Sequence, residues 1–274
     1  MTRPDPGNSP RILVFDSGVG GLSVLAEIHS RIPRARLIYA CDNEAFPYGT
    51  MGEEALVTRV DTVLRALISR LDPDILVVAC NTASTLALPR IRAHFAKPVV
   101  GVVPAIKPAA ALSRTRVIGL LATPGTVNRA YTRQLIDDFA GDCTVVRVGS
   151  SELVDMAEAK VRGVAPDPDR LRAIVAPLFD NPATDTLVLA CTHFPLLRQE
   201  LETVAPRSVH WVDSGEAIAR RVESLLSANV QLASRTGQTG PRFAGWLTSD
   251  NQDIAALVAG LENAGMMDLQ VIAV

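Results

Sequence analysis

Two stretches of the chain are near copies of each other, and each presents a cysteine close to its end. Residues 74–82 read DILVVACNT and residues 185–193 read DTLVLACTH, so Asp, Leu, Val, Ala and Cys recur at matching positions. An uninterrupted apolar run of this kind is typical of a parallel strand that is covered by helices on both faces. The repeat therefore predicts two equivalent strands that each deliver a thiol, Cys80 or Cys191, to the loop that follows. Such a chain is a candidate for directing two thiols at one substrate.

The rest of the chain alternates short apolar runs with longer amphipathic segments. This alternation predicts parallel strands joined by helical crossovers, and hence the α/β class. The predicted strands are residues 11–15, 36–40, 75–79, 99–103, 117–122, 144–148, 187–190 and 209–212. The predicted helices include residues 21–31, 51–70, 125–139, 168–179, 215–226 and 251–263.

These elements divide into two similar halves, each opening with a strand and a small-residue turn and closing with its cysteine strand. We predict a first α/β domain of residues 11–103 plus about 213–274, and a second of residues 104–212. Residues 1–10 are predicted to be a flexible tail. Because ligands bind beyond the carboxyl ends of strands in open α/β sheets, two pseudo-symmetric domains predict an active site in the cleft between them.

Bulk composition narrows the class of protein. With 274 residues, 48% of them apolar and 20% charged, the chain is able to bury a large core. A net charge of −2 without a basic block argues against a nucleic-acid partner. No apolar run reaches the length of a membrane span, and the first ten residues lack a signal-peptide pattern. We therefore expect a cytoplasmic protein without a nucleic-acid or membrane partner.

The four cysteines do not indicate a disulfide scaffold or a metal centre. None of them shows CxxC spacing, so no metal is expected, and for Cys143 the expectation is a small buried side chain. The residues that follow the two repeated cysteines are expected to begin helices. The unpaired N–H groups of a helix start stabilise anions, which favours a thiolate and provides a seat for a carboxylate.

Each repeated thiol has a candidate partner for proton transfer. A thiol with an ordinary pKa of about 8.5 needs assistance to act as a base at neutral pH. His193 lies two residues after Cys191, and Asp16, at the end of the first predicted strand, is a candidate partner for Cys80. Taken singly, an aspartate at a strand end is more often a turn former. A lone histidine near a helix start is likewise more often structural. The combination with two matched thiols favours catalysis.

Two cofactor classes are disfavoured. The turn at residues 18–23 reads GVGGLS, so a GxGxxG fingerprint lacks its third glycine, and no GxxxxGK[ST] motif occurs. Its glycines instead suggest close approach of the backbone to a small ligand. A pyridoxal-phosphate enzyme needs a well-placed lysine, whereas Lys97 precedes a proline in a loop and Lys107 lies in the predicted crossover. We therefore expect chemistry without a cofactor.

Four motifs together resemble the glutamate racemases of the cofactor-independent aspartate/glutamate racemase family. They are FDSGVGGLS at residues 15–23, PYG at 47–49, CNTAS at 80–84 and CTHFPLL at 191–197, in the family's order. Lesser matches lie at residues 101–105, 123–126 and 212–215. The resemblance implies an isomerase that interconverts L- and D-glutamate by two-thiol 1,1-proton transfer and supplies D-glutamate for peptidoglycan. It also implies a homodimer.

The resemblance implies a role for each matching residue. Cys80 is implied to serve D-glutamate and Cys191 L-glutamate, with Asp16 and His193 assisting them. An assisting glutamate is also implied, and it is best matched by Glu158. Glu152 remains open for this role. Substrate binding is implied for Asp16, Ser17, Tyr48, Gly49, Asn81, Thr82, Thr126, Thr192 and His193.

Two alternatives remain. A racemase of the same superfamily that acts on aspartate or hydantoin would differ in the size of its pocket rather than in its thiols. A protein of another class would be a redox sensor or binding protein in which Cys80 and Cys191 form a disulfide. Against that class, both cysteines end covered strands in separate halves and lack a neighbouring resolving thiol.

Overall fold

The protein forms two compact α/β units. A computed structural model describes residues 9–229, 232, 243–250 and 254–274. One unit comprises the chain up to Val102 together with the part from Gly215 onward, and the other comprises Val103–Ser214. Residues 1–8 of the predicted tail lie outside the described residues. Within the described residues, no helix combines the length and apolar character needed to cross a bilayer.

The first unit contains a six-stranded parallel sheet. Its strands are β1 (Arg11–Asp16), β2 (Arg36–Cys41), β3 (Ile75–Val78), β4 (Val99–Gly101), β9 (Phe243–Leu247) and β10 (Asp268–Val271). They lie in the order β10-β9-β2-β1-β3-β4, and each described pairing is parallel. Its helices are α1 (Leu22–Arg31), α2 (Glu53–Leu71), α3 (Asn81–His94), α10 (Gly215–Ala228) and α11 (Ile254–Asn263), with a 3-10 turn at Tyr48–Thr50.

The second unit contains a four-stranded parallel sheet. Its strands are β5 (Val117–Ala122), β6 (Thr144–Gly149), β7 (Thr186–Leu189) and β8 (His210–Val212), in the order β6-β5-β7-β8. Its helices are α4 (Ile106–Leu112), α5 (Pro124–Asn128), α6 (Ala130–Ala140), α7 (Glu152–Val161), α8 (Pro168–Val175) and α9 (Arg198–Val204). The order repeats β2-β1-β3-β4 of the first unit, so the internal repeat extends from the cysteine strands to the whole sheet.

The two repeated segments form equivalent strands, in which an aspartate anchors the amino end and a cysteine follows the carboxyl end. Every residue of β3 and β7 is buried, as their uninterrupted apolar runs predict. The repeated aspartates anchor the amino ends. Asp74 accepts from the backbone N–H of Arg11 at 2.8 Å, and Asp185 accepts from that of Arg114 at 2.8 Å. The repeated cysteines follow the carboxyl ends, where open α/β sheets bind ligands.

The predicted helix at residues 125–139 is interrupted, and this prediction was wrong in detail. Arg129 has an extended backbone (φ −68°, ψ 144°) and separates α5 from α6. The Thr132 hydroxyl donates to the Thr126 carbonyl at 2.6 Å, so a side chain takes the place of a helical N–H donor. The predicted helix at 168–179 likewise ends as α8 at Val175 and continues as a 3-10 turn that contains Pro177.

Two strands of the first unit were not predicted. Strand β9 is short and contains Gly245, and strand β10, at the edge of the sheet, is mostly exposed. Gly245 weakens the strand signal of β9, and β10 lacks a continuous apolar run because it contains Asp268 and Gln270. The helix predicted from residue 251 is α11, and residues 251–253 lie outside the described residues.

Candidate functional site

In the first unit, the cysteine and its candidate partner lie at the ends of adjacent strands. Cys80 lies two residues after the last residue of β3, has an extended backbone (φ −134°, ψ 121°) and precedes the first residue of α3. Phe15 pairs with Val78, and the Ala79 N–H donates to the Phe15 carbonyl at 2.7 Å. This register places Asp16, the last residue of β1, beside the Cys80 end of β3. Both side chains are buried.

The start of α3 is clamped to the sheet by a serine of the CNTAS motif. The Ser84 hydroxyl donates to the Val78 carbonyl at 2.8 Å and accepts from the Val102 N–H at 2.9 Å. Asn81 and Thr82 form the buried first turn of this helix. The N-terminal end of this helix is therefore held at a fixed position beside Cys80, where its dipole favours negative charge.

The glycine-rich turn after β1 has a packing explanation that the sequence did not reveal. A Cβ atom at Gly21 would lie 3.0 Å from Asp16 Cβ, 3.0 Å from Tyr39 Cε2 and 3.2 Å from Ala79 Cβ. Gly21 therefore allows the start of α1 to lie close to Asp16 of β1, Tyr39 of β2 and Ala79 after β3, and at this position the close neighbour is protein. Beside it, Asp16 Oδ1 accepts from the Ser17 N–H at 2.6 Å.

The PYG motif has a buried and an exposed part. The Tyr48 ring is buried, and its hydroxyl donates to Asp42 Oδ2 at 2.6 Å. Burial and the Asp42 carboxylate raise the pKa of Tyr48, which keeps its hydroxyl protonated as a donor. Gly49 is exposed, and a Cβ there would meet nothing within 4 Å. The turn therefore presents its backbone, and not the tyrosine hydroxyl, to its surroundings.

In the second unit, a thiol, an imidazole and a carboxylate form a buried chain. Cys191 Sγ lies 3.8 Å from His193 Nδ1, and His193 Nε2 lies 2.9 Å from Glu158 Oε1. Glu158 Oε2 also lies 3.1 Å from a guanidinium nitrogen of Arg162, one turn along α7. At most 8% of the surface of Cys191, His193 or Glu158 is exposed, so water screens these interactions little.

The two candidate glutamates have different surroundings. Glu152 binds Arg170 on the surface, where its two carboxylate oxygens accept from Nε at 2.8 Å and Nη2 at 2.9 Å. Glu158 is the carboxylate that lies on His193. Both residues belong to α7, and their six-residue spacing directs them to different neighbours on that helix.

The contact between His193 and Glu158 determines which ring nitrogen of His193 carries the proton. A carboxylate only accepts hydrogen bonds, so the Nε2 beside Glu158 carries the proton. In the neutral imidazole, the lone pair of Nδ1 is then directed at Cys191. This tautomer can accept the proton of the thiol, and the resulting imidazolium is stabilised by Glu158.

The backbone after Cys191 differs from the prediction that a helix begins there. Phe194 N donates to the Cys191 carbonyl at 3.1 Å and Leu196 N to that of His193 at 3.1 Å, which forms turns and a 3-10 segment. Pro195 has no N–H to donate. The α-helix of this region starts at Arg198, so Thr192 and His193 lie in a turn and not in the first turn of a helix.

The predicted site residues divide between the two units. Asp16, Ser17, Tyr48, Gly49, Asn81, Thr82 and Cys80 lie in the first, and Thr126, Glu158, Cys191, Thr192 and His193 in the second. Thr126 is buried at the start of α5, and its hydroxyl lies 3.0 Å from that of Thr123. The described residues contain no group of three or more His, Cys, Asp or Glu side chains able to hold a metal ion.

The remaining cysteines differ from the two in the motifs. All four cysteines are free, and Cys41 is buried at the end of β2. Cys143 is partly exposed, which corrects the expectation of a buried side chain. Partial burial and the neighbouring Asp142 carboxylate raise the pKa of this thiol despite the nearby Arg116. Cys143 therefore stays protonated and unreactive at neutral pH.

Sequence comparison identifies relatives across most of the chain. The family model described as Asp/Glu/Hydantoin racemase matches residues 13–222. A glutamate racemase of Sodalis glossinidius is 47% identical over 265 residues, covering 95% of this chain and 91% of the relative. A glutamate racemase of Shewanella loihica is 53% identical over 222 residues, covering 81% of this chain and 83% of the relative.

Solved structures show the same fold. The crystal structure of Escherichia coli glutamate racemase, in complex with L-glutamate and the activator UDP-MurNAc-Ala, matches with a TM-score of 0.90 and 45% identity, covering 97% of this chain and 98% of that one. Glutamate racemase from Thermus thermophilus, in complex with beta-chloro-D-alanine, matches with a TM-score of 0.76 and 29% identity, covering 98% of each chain.

Proposed function

The chain belongs to the Asp/Glu/hydantoin racemase family, and from that premise we propose that it is a glutamate racemase. The observation that carries the proposal is the buried arrangement of Cys191, His193 and Glu158, which fits a thiol that must act as a base. The repeated strand supplies a second thiol, Cys80, whose neighbouring carboxylate is Asp16. Curated relatives that are 47–53% identical favour glutamate over aspartate or a hydantoin.

The proposed reaction transfers protons at one carbon and leaves the covalent skeleton unchanged. With L-glutamate, the Cys191 thiolate removes the α-proton and becomes a thiol, while the Cys80 thiol protonates the opposite face and becomes a thiolate. With D-glutamate the two roles are exchanged. The assisting groups differ, with imidazole and carboxylate beside Cys191 and a carboxylate beside Cys80, because the two thiols act on mirror-image substrates.

The electrostatic problem is a weakly acidic C–H bond next to a carboxylate that is already negative. We propose that backbone N–H groups at the start of α3 and in the Tyr48–Gly49 turn hold substrate carboxylates, with the hydroxyls of Ser17, Thr82, Thr126 and Thr192 as neutral donors. Preorganised dipoles of this kind are most effective where water is excluded. The proposed chemistry uses side chains and backbone alone.

The test follows deuterium at the α-carbon. The purified protein is incubated in deuterated buffer with L-glutamate or D-glutamate, and proton NMR and optical rotation are recorded. Glutamate should racemise from either side, and the product should carry deuterium at the α-position. Each assay is repeated with UDP-MurNAc-Ala, because the Escherichia coli relative is described with it as an activator. Aspartate and hydantoin serve as competing substrates.

Serine variants test the role of the two thiols. C80S and C191S should each lose racemisation by a factor of at least about 10², while far-UV circular dichroism stays unchanged. C143S is the matched control, because Cys143 is partly exposed and remote in sequence from every site motif. Full racemisation by C80S or C191S would refute the two-thiol mechanism. A disulfide between these residues, with no racemisation by the wild type, would support the redox alternative.

The cellular setting remains part of the proposal. We propose that the enzyme acts in the cytoplasm, supplies D-glutamate for peptidoglycan and assembles as a homodimer. Complementation of a D-glutamate auxotroph tests the first two points. Light scattering on a gel-filtration column, with and without glutamate, tests the third.

A further inference from the structure

One buried carboxylate of the first unit is fully hydrogen-bonded and has no role in the proposed proton transfer. Asp42 follows β2 and is completely buried. Its Oδ2 accepts from the Tyr48 hydroxyl at 2.6 Å and from Arg59 Nε at 2.9 Å. Its Oδ1 accepts from Arg59 Nη2 at 2.7 Å and from the Thr248 hydroxyl at 2.7 Å. Each carboxylate oxygen thus accepts two hydrogen bonds, which exhausts its usual capacity.

The Asp42 carboxylate is ionised and largely neutralised where it lies. Burial alone would raise its pKa, but hydrogen bonds from Arg59, Tyr48 and Thr248 outweigh burial and hold the pKa below its ordinary value. Arg59 also binds Glu44 at 2.7 Å, but the Glu44 side chain is half exposed and its charge is screened by water. Asp42 therefore adds little repulsion toward an anionic substrate.

The segment around Asp42 is tied to the sheet on two sides. The Asp42 N–H donates to the Asp16 carbonyl at 3.0 Å, which links it to the end of β1. On the other side, Asn43 Oδ1 accepts from the backbone N–H of Thr248 at 2.9 Å and of Ser249 at 3.2 Å. Asp42 is consequently a fixed point on which other groups can be positioned.

The group that Asp42 positions is the Tyr48–Gly49 turn. The tyrosine hydroxyl is hydrogen-bonded to Asp42, whereas Gly49 is exposed and a Cβ atom there would meet nothing within 4 Å. Within the described residues, neither the Tyr48 nor the Gly49 backbone N–H has a hydrogen-bond partner. These two donors are thus available to a ligand, and their direction depends on how the tyrosine ring is anchored.

We propose that Asp42 is a positioning residue for substrate binding: through the Tyr48 hydroxyl it orients the backbone donors that hold a carboxylate of glutamate. This inference rests on the proposed function. Because a carboxylate is held in the same way before and after proton transfer, the anchor stabilises ground state and transition state equally. Its loss should raise KM for both enantiomers by the same factor and leave kcat unchanged.

The experiment is a double-mutant cycle between Asp42 and Tyr48. KM and kcat are measured in both directions for the wild type, D42N, Y48F and the D42N/Y48F pair. We expect D42N and Y48F each to raise KM about tenfold for both enantiomers, the size of one well-placed hydrogen bond to a charged group. If Asp42 acts through Tyr48, D42N should add little in the Y48F background.

D185N is the matched control. Asp185 also accepts four hydrogen bonds, from the Ser113 and Thr186 hydroxyls and the backbone N–H groups of Arg114 and Thr115, but it lies at the amino end of β7. This substitution should lower stability without changing KM. If D42N does not fold, T248V and Y48F carry the test, because T248V removes a hydrogen bond from the Asp42 oxygen that Tyr48 does not bind.

The outcomes separate this inference from the proposed function. A wild type that does not racemise glutamate refutes both. An active wild type with KM unchanged in D42N or Y48F refutes the positioning role alone. An equal effect of D42N in the two backgrounds, or a fall in kcat at constant KM, also refutes it. A shared rise in KM that is absent in D185N supports it.

Discussion

At the scale of single residues, the environment of each side chain assigns its role more sharply than its identity does. Glu152 and Glu158 lie on the same helix, yet one binds a surface arginine and the other a buried histidine. The family resemblance left both as candidates, because the sequence does not specify what lies opposite each residue in the fold. The partner, His193, is contributed by a turn that follows a different strand.

Replacing Glu158 by glutamine should impair the proton transfer at Cys191. The neutral amide can donate to His193 Nε2, which would turn the Nδ1–H toward the thiol and remove its proton acceptor. We expect kcat for L-glutamate to fall about 10²-fold. E152Q, the same change six residues away in α7, should leave kcat unchanged. Equal losses in the two variants, measured by optical rotation, would contradict this role for Glu158.

At the scale of elements, the sequence predicted the strands around the two cysteines well, but it did not predict the helix interruption at Arg129 or the packing role of Gly21. The parallel strands around both cysteines were predicted within one or two residues, because covered strands have uninterrupted apolar runs. The interruption at Arg129 was not, since it depends on hydrogen bonds in the turn around Thr126. Gly21 was read as making room for a ligand, but it makes room for neighbouring strands.

Two glycine-to-alanine changes should separate packing from binding. G21A places a Cβ about 3 Å from Asp16, Tyr39 and Ala79, and overpacking of this kind costs about 1–3 kcal/mol. G49A meets no neighbour, so its free energy of unfolding should change by less than about 0.5 kcal/mol, while its KM for glutamate should rise. Urea unfolding and steady-state kinetics on both variants measure this. Similar destabilisation by the two changes would contradict the packing role of Gly21.

The anchor at the start of β7 should make stability depend on acid. Burial would raise the pKa of Asp185, but hydrogen bonds from Ser113, Thr115, Arg114 and Thr186 outweigh it and hold the pKa well below its ordinary value. The folded state therefore binds this proton less readily than the unfolded state. The resulting stability is fully present above about pH 4 and is lost as the pH falls further.

D185N tests this dependence on pH. Urea midpoints for the wild type and D185N should differ by a constant amount from pH 7 to about pH 4 and converge progressively as the pH falls below 4, because protonation removes what the substitution removes. A difference that stays constant below about pH 4 as well would show that the Asp185 charge does not contribute.

At the scale of the whole molecule, the C-terminal segment completes the first unit. Strand β9 pairs with β2, and β9 is followed by Thr248, whose hydroxyl binds Asp42. These partners are separated by most of the chain, so no local pattern predicts them. Candidate residues within short motifs were identifiable from sequence, whereas the hydrogen bonds that hold those motifs in place were not.

Deleting the C-terminal segment should therefore affect the two units unequally. A chain that ends at residue 228 lacks β9, α11 and β10 and leaves an edge of β2 unpaired. We expect amide hydrogen exchange to accelerate in β1, β2 and the Tyr48–Thr50 turn, and to remain slow in β5 and β7. Uniform acceleration across both units, measured by mass spectrometry, would contradict this expectation.

The discontinuous makeup of the first unit has a consequence for synthesis on the ribosome. The second unit is one uninterrupted stretch and can fold as soon as Ser214 has emerged, whereas the first must wait for its last strands. During translation, the first unit, which contains Cys80, is therefore still incomplete when the second unit, which contains Cys191, is able to fold. Chaperones that bind unpaired strand edges would therefore act on the first unit until β9 and β10 have been synthesised.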